Sequence, residues 1–192
     1  MPYNMQSFDK KYMRGFTLVE VIIGIVVLSL SFTIITSIVL PTTEQSANQI
    51  QQIRAVELGQ SMLNEILGKA FDDNSDMAGG AVRCGEAGTT CTQPNSLGPE
   101  EADRENFDDV DDYHGFEQGA GSGNQLQDSL GQSLDDRYPN FRVEVDVAYD
   151  GGYDGGSPDN VISIAKRIDI TVSIVSSGNP EPITFSAYKA NF

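Results

Sequence analysis

The stretch that decides the fold runs from Lys10 to Leu28 and reads Lys-Lys-Tyr-Met-Arg-Gly-Phe-Thr-Leu-Val-Glu-Val-Ile-Ile-Gly-Ile-Val-Val-Leu. A short basic leader ends at Gly15, and the apolar run that follows, Phe16–Leu40, contains Glu20 as its only charged residue. These 25 residues can cross a bilayer as a helix. A carboxylate at the bilayer centre costs about 2.5–3.5 kcal/mol, and less near its edge, so Glu20 needs a compensating partner.

The segment Arg14–Glu20 resembles the signal shared by type IV pilins and the pseudopilins of type II secretion. The resemblance implies that prepilin peptidase cuts between Gly15 and Phe16 and that the new amino terminus on Phe16 is N-methylated. It also implies that Glu20 pairs with the N-terminal ammonium of a neighbouring subunit, which agrees with the need of a buried charge for an opposite charge. The alternatives are an ordinary signal anchor and a secretory signal peptide, whose apolar core is only roughly 7–15 residues long.

Composition limits the compartment and the partners. The chain has 192 residues and a net charge of −16, but Lys10, Lys11 and Arg14 all precede the apolar run. The positive-inside rule therefore predicts a single-pass inner-membrane protein with residues 1–15 as a cytoplasmic leader and a periplasmic head, which in a pilus becomes extracellular. Such acidity argues against nucleic acid as a partner, because phosphates repel it.

Cys84 and Cys91 are the two cysteines of the chain. On the exported side a disulfide between them is permitted, and the glycine-containing stretch between them is flexible enough to close the loop. Two free thiols are the alternative. A metal pair is less favoured, because His114 is the only histidine and no Cys-x-x-Cys motif is present.

Hydrophobic periodicity divides the rest of the chain. Pro41 follows the apolar half-helix 16–40, and a second, amphipathic half-helix is predicted over 41–71. Its apolar residues recur every three or four positions: Ala47, Ile50, Ile53, Val56, Leu63, Ile66, Leu67 and Ala70. Region 72–139 is rich in Gly, Asp, Glu, Ser, Asn and Gln and is predicted to be irregular.

The sequence pattern of region 140–192 predicts an antiparallel sheet. Apolar and polar residues alternate from Phe141 to Tyr149, from Arg167 to Ile174 and from Ile183 to Tyr188, with a turn at 177–180. The apolar face of this sheet needs a cover, and the amphipathic helix provides one. We therefore predict an α+β fold, a long N-terminal helix packed on a small antiparallel sheet, which is also the architecture that the pilin resemblance implies.

Nine acidic residues lie between Glu100 and Glu117, most densely at 107–115. Hard oxygen ligands suggest Ca²⁺ with Asp109, Asp111 and Asp112 as candidates, but the spacing does not match an EF-hand, so we favour a solvated acidic loop. Apolar residues nevertheless recur every third position, which predicts that the segment docks on the head; they are Phe107, Val110, Tyr113 and Phe116.

The sequence Tyr-Asp-Gly-Gly occurs twice in succession, at 149–152 and 153–156. A tandem duplication inside a loop explains the repeat. A Ca²⁺ site that uses Asp150, Asp154 and Asp159 is the less favoured alternative.

The stretches 107–115, 54–59 and 64–69 resemble minor pilins of the mannose-sensitive haemagglutinin pilus. The expected function is therefore that of a minor pilin, with a role in initiation, at the tip or in adhesion, and with other pilin subunits and the inner-membrane assembly platform as partners. A minor pseudopilin and a membrane-anchored Ca²⁺-binding module are the alternatives. We expect no enzyme and no cofactor, because His114 stands alone and nucleophile-elbow and Walker motifs are absent.

Overall fold

The computed structural model describes residues 15–76, 82–86, 88–175 and 181–191, with no side-chain description at 38–48. The chain divides into two compact units, Met1–Ala47 and Asn48–Phe192. Within the described residues, one long helix and four strands make up the regular structure, and two 3₁₀ turns, at Arg104–Asn106 and Asp111–Tyr113, precede the first strand. The fold is α+β, as predicted.

The helix α1 spans Leu18–Leu67 as a single element, so the backbone stays helical through Pro41, where the sequence predicted a boundary between two half-helices. It ends four residues before the predicted end at Phe71. The Gly68 N–H donates to the carbonyls of both Asn64 and Glu65, at 3.2 and 3.1 Å, and the Lys69 N–H donates to the Ile66 carbonyl at 3.0 Å. This shift to tighter, 3₁₀-type bonds ends the helix.

The sheet is antiparallel and its strands follow chain order: β1 (Phe116–Gly119), β2 (Phe141–Tyr149), β3 (Ala165–Ile174) and β4 (Ile183–Ala190). The last three strands lie where the alternation predicted them. The first corrects the prediction of an irregular region over 72–139, because four residues are too few to show a period. The predicted turn at 177–180 lies outside the described residues.

The core of the second unit lies between α1 and one face of the sheet. Alternate residues of β2 and β3 are buried there, and the helix contributes Ala55, Leu58, Met62 and Ile66. The predicted covering role of the helix is confirmed, but its buried stripe differs from the predicted one, because Ile50 and Ile53 are 56% and 68% exposed. The spacing was helical, yet the contact with the sheet begins only near Ala55.

Gly59 lets the helix approach the edge strand closely. A Cβ at this position would lie 2.3 Å from one ring carbon of Phe185 in β4 and 2.6 Å from another. Within a helix, glycine is roughly 1 kcal/mol less favourable than alanine. At position 59 only a residue without a Cβ leaves room for the ring of Phe185.

Candidate functional site

The first candidate site is the beginning of α1. Leu18–Ser37 is long and apolar enough to span a membrane, and none of this segment is buried. Its hydroxyls are satisfied within the helix: Ser29, Ser31 and Thr33 donate to the carbonyls four residues earlier at 2.8, 2.7 and 2.9 Å. These hydroxyls therefore need no outside partner, as lipid requires, whereas the Glu20 carboxylate of the same segment still needs one.

Thr17 caps this helix, because its Oγ1 accepts the N–H of Glu20 at 3.3 Å. Thr-x-x-Glu is the capping-box pattern, and a carboxylate in the first turn is also favoured by the helix dipole. Among the described residues, no ion pair involves the Glu20 carboxylate. Gly15 and Phe16 lie just before the helix in non-helical backbone, and Phe16 is 82% exposed.

Residues 10–36 match the family model for the prokaryotic N-terminal methylation motif. The match includes Gly15, Phe16 and Glu20 together with most of the apolar segment, so it concerns the signal and not the head. It supports a type IV pilin-like or pseudopilin-like protein, which is a structural class and not an enzyme family, and it implies processing by prepilin peptidase. Neither a curated protein nor a solved structure matches the chain.

The second candidate site is the acidic segment of the head. The prediction of a solvated loop is confirmed for Glu100, Asp103, Glu105 and Asp108, which are exposed, but it is wrong for the acids at 109–112. Asp109, Asp111 and Asp112 are at most 1% exposed. The prediction that the segment docks through its apolar residues is confirmed. Phe107, Val110 and Tyr113 are buried, and Phe116 packs against the same core. The ring centroids of Phe107 and Tyr113 lie 5.2 Å apart, edge to face.

Glu65 of α1 ties this segment to the helix. Its Oε1 accepts the Tyr113 hydroxyl at 2.8 Å, and its Oε2 accepts the Arg104 guanidinium, also at 2.8 Å. Burial and the neighbouring Glu65 carboxylate raise the pKa of the Tyr113 hydroxyl. Arg104 thus pairs with the helix, although the sequence shows it in the middle of a run of acids.

Lys166 of β3 provides the other fastening point. Its side chain is fully buried, and its ammonium donates to the Phe71 carbonyl at 2.7 Å, to Asp111 Oδ1, and to Asp72 Oδ2 at 3.4 Å. It also lies 4.4 Å from the ring centroid of Phe71. A buried ammonium persists only with such partners.

Sequence reasoning missed Lys166, although one signal for it was present. Lys166 is in phase with Ile168, Ile170 and Val172 on the apolar face of β3. An inward-facing lysine in a buried row predicts a buried carboxylate opposite it.

Backbone N–H groups donate hydrogen bonds to some of the carboxylate oxygens of the buried acids. Asp109 Oδ1 accepts the N–H of Asp111 at 2.7 Å and that of Asp112 at 3.2 Å. Asp112 Oδ2 accepts the N–H of Asp108 at 2.9 Å and that of Asp109 at 3.1 Å. One oxygen of each remains without a hydrogen-bond partner in the described part of the chain, Oδ2 of Asp109 and Oδ1 of Asp112. Burial, followed by repulsion from Asp111, raises the pKa of Asp109 to about 8.

Glu100 and Glu101 approach this segment from its N-terminal side. One carboxylate oxygen from each of Glu100, Glu101 and Asp112 lies within 4.8 Å of the other two. Burial, followed by the neighbouring Asp112 carboxylate, raises the pKa of Glu100 to about 7, and burial raises that of Glu101. The EF-hand pattern does not include this group: counted from Glu101, Asp112 is the twelfth residue, but the sixth is Asn106 and not the required glycine.

The predicted Ca²⁺ alternative in the Tyr-Asp-Gly-Gly repeat has a different role in the structure. Asp150 Oδ2 accepts the Tyr188 hydroxyl at 2.8 Å, the Gly155 N–H at 3.1 Å and the Arg167 guanidinium at 3.3 Å. The hydrogen bond from Tyr188 lowers the pKa of Asp150. Asp154 Oδ1 accepts the Gly156 N–H at 2.8 Å, and Asp159 Oδ2 accepts that of Gly151 at 2.8 Å. These carboxylates order the loop.

Cys84 and Cys91 form a disulfide, with their Cα atoms 4.8 Å apart. Both are buried and pack with Phe71 and Tyr149 in a small second core. Asn191, near the end of the chain, donates its side-chain amide to the Cys84 carbonyl at 3.0 Å. The grouping of Asp72 with the two cysteines offers no metal site, because both sulfurs are used in the disulfide.

Proposed function

We propose that this protein is a minor pilin, a structural subunit of a type IV pilus, most similar to those of the mannose-sensitive haemagglutinin system. One observation carries the proposal: the methylation motif leads directly into an apolar helix that is entirely unburied. The chain would enter the inner membrane with its leader cytoplasmic and its head periplasmic. Prepilin peptidase would cut at Gly15–Phe16, Phe16 would be methylated, and the assembly platform would add the subunit to the filament.

The distribution of exposed apolar residues supports assembly beyond simple anchoring. In the second unit, Ile53 and Val56 of α1 line a groove with Ile183 of β4, outside the segment that is apolar enough for a membrane. Apolar surface of this kind marks an interaction site, because its removal from water is favourable. Helices of other pilin subunits are the partners that we propose for it.

Glu20 has two candidate roles, and they can be separated. As a capping-box residue it stabilises the first turn, a role that glutamine also fills. As the partner of a neighbour's N-terminal ammonium it needs its charge. Glu20→Gln keeps the first role and loses the second, whereas Glu20→Val loses both. Thr33→Val is a matched control, because it too makes the same helix more apolar without altering a charge.

The experiment expresses these variants in a pilus-bearing strain and quantifies the subunit in sheared pili and in membranes. All variants should insert into the membrane, because each substitution makes the segment more apolar or leaves it as apolar as in the wild type. Incorporation of Glu20→Gln and Glu20→Val should fall by about tenfold or more, because loss of a buried ion pair exceeds the ~1.4 kcal/mol that corresponds to tenfold. Thr33→Val should assemble normally, and mass spectrometry should find methylated Phe16. Normal incorporation of Glu20→Gln would contradict charge pairing.

A minor pseudopilin is the second candidate, because the matched motif is compatible with both classes. Deletion of the gene separates them. Loss of surface pili with normal export of folded proteins supports the pilus, and the reverse result supports type II secretion. A membrane-anchored module that never assembles predicts that neither phenotype changes.

A further inference from the structure

The cluster of Glu100, Glu101 and Asp112 is held from two separate parts of the chain. Glu100 and Glu101 precede the first 3₁₀ turn, Arg104–Asn106, and Asp112 lies in the second, Asp111–Tyr113. Their nearest carboxylate oxygens fall within 4.8 Å of one another. Three like charges at this distance repel, so the arrangement requires something positive between them.

One carboxylate oxygen of Asp112, a member of this cluster, is buried and unsatisfied. The residue is 1% exposed, and its Oδ2 is occupied by two backbone N–H groups, but its Oδ1 is buried without a hydrogen-bond partner among the described residues. Oε2 of Glu101 is likewise buried without a hydrogen-bond partner among the described residues. Buried ionised oxygens without partners are strongly unfavourable.

The nearby cations bind other groups. Lys166 binds Asp72 and Asp111, Arg104 binds Glu65, and the Lys69 ammonium donates to the Phe107 carbonyl. None of the ion pairs found in the described part of the chain includes Glu100, Glu101 or Asp112. Either a bound cation or a shared proton must therefore neutralise the three carboxylates.

We propose that Glu100, Glu101 and Asp112 bind a divalent cation and that this cation is Ca²⁺. Carboxylate oxygens are hard ligands, and Ca²⁺ accepts six to eight of them in irregular geometry, whereas Mg²⁺ demands a near-ideal octahedron. Glu100 is exposed, so the site is open on one side to the water molecules that complete such a shell. A site with only three protein carboxylates belongs to the weak class found in extracellular modules, with a Kd of about 10⁻⁴–10⁻³ M.

The cation would connect the start of the acidic segment to its second 3₁₀ turn. Glu65 and Lys166 already fasten the segment to α1 and β3. A third fastening at Asp112 would hold the backbone around 100–112 in place against the repulsion of its own acids, and it would be present only where millimolar Ca²⁺ is available.

The test titrates CaCl₂ into the full-length, EDTA-stripped protein in detergent micelles by isothermal calorimetry, with NaCl added to equal ionic strength in the reference. The wild type should bind one Ca²⁺ with a Kd of about 10⁻⁴ M and bind Mg²⁺ at least tenfold more weakly. Glu100→Gln/Glu101→Gln should weaken Ca²⁺ binding by tenfold or more. Glu105→Gln is the matched control, an exposed acid of the same segment outside the cluster, and should change the Kd less than twofold.

Thermal unfolding supplies a second readout that does not depend on heats of binding. Without Ca²⁺ the double variant should melt at or above the wild-type temperature, because its repulsion is relieved. Addition of 10 mM CaCl₂ should raise the melting temperature of the wild type and of Glu105→Gln but not that of the double variant. Absence of Ca²⁺-specific heat, or equal Ca²⁺ responses of the wild type and the double variant, would overturn the proposal and assign neutralisation of the cluster to a proton.

Discussion

Removal of the ammonium of Lys166 should be among the most damaging single substitutions in the head. Lys166→Met keeps the length and most of the volume of the side chain but removes the hydrogen bonds to Asp111, Asp72 and the Phe71 carbonyl. Asp111 already has one buried oxygen, Oδ2, without a partner in the described structure, so the variant leaves its whole carboxylate uncompensated.

Two independent arguments give the magnitude. Removal of one partner of a buried ion pair costs about 3–5 kcal/mol. If the orphaned carboxyl takes up a proton instead, neutralising a side chain with the ordinary aspartate pKa of about 3.9 costs about 4 kcal/mol at pH 7. The same step costs only about 1.5 kcal/mol at pH 5, so the penalty should shrink as the pH falls. A domain with a typical stability of about 5–15 kcal/mol would lose a large fraction of it.

The assay is denaturant unfolding of an oxidised fragment that begins at Asn48, followed by circular dichroism at pH 7 and pH 5. Lys189→Met is the matched control, because Lys189 pairs with Lys166 in the sheet register but donates to a backbone carbonyl, that of Leu67 at 2.9 Å. Lys189→Met should lower the free energy of unfolding by about 1 kcal/mol. Lys166→Met/Asp111→Asn should recover about 2 kcal/mol or more of the loss. A Lys166→Met penalty equal to that of the control, or one independent of pH, would refute the reasoning.

Two further predictions concern the helix contact and the Tyr-Asp-Gly-Gly loop. Gly59→Ala should destabilise the same fragment by about 1 kcal/mol in denaturant unfolding, despite the better helix propensity of alanine, because the new methyl group meets the Phe185 ring. A second substitution in the same chain, Phe185→Val, should relieve this loss. Asp150→Asn should lower the melting temperature most near pH 6 and progressively less towards about pH 3, because a carboxylate with a lowered pKa contributes stability above its unfolded pKa and loses it as the pH falls through the folded one. Asp154→Asn is the control, because among the described residues the Asp154 carboxylate accepts only the nearby Gly156 N–H. An effect of Asp150→Asn that is constant with pH would contradict the assignment.

The sheet and its helical cover were predictable because both rest on periods that a single sequence displays. Alternation located β2 from Phe141 to Tyr149, and the three- and four-residue spacing identified α1 as amphipathic. Periodicity alone does not indicate at which residue the helix begins to contact the sheet. Ile50 and Ile53 fit the helical pattern as well as Ile66 does, but Ile66 lies in the core, whereas Ile50 and Ile53 are exposed.

The acidic segment shows the limit of composition as a guide. Dense Asp and Glu residues usually indicate solvated chain, and that rule failed at 109–112 because the turns there supply backbone N–H groups to Asp109 and Asp112. The apolar residues at every third position were the better indicator of docking, since they record which side of the segment faces the core. Glu100 and Glu101 could not be connected with Asp112 from spacing alone, because only the folded chain brings them together.

The fastening of this segment has a consequence for the proposed assembly. Glu65 holds it to the last turns of α1 through Arg104 and Tyr113, and Lys166 holds it to β3 through Asp111. The exposed acids of the segment therefore occupy a defined surface; they are Glu100, Asp103, Glu105 and Asp108. Charge in a fixed position can select a neighbour by complementarity, whereas the same charge on a disordered segment would mainly repel. Under the proposed function, a subunit with such a surface and with the apolar N-terminal helix would share the filament-forming interaction with other pilins and still be distinguished from them by its head. Replacement of the exposed acids Asp103, Glu105 and Asp108 by Asn, Gln and Asn should accordingly change which subunits it contacts in cross-linking, without preventing membrane insertion.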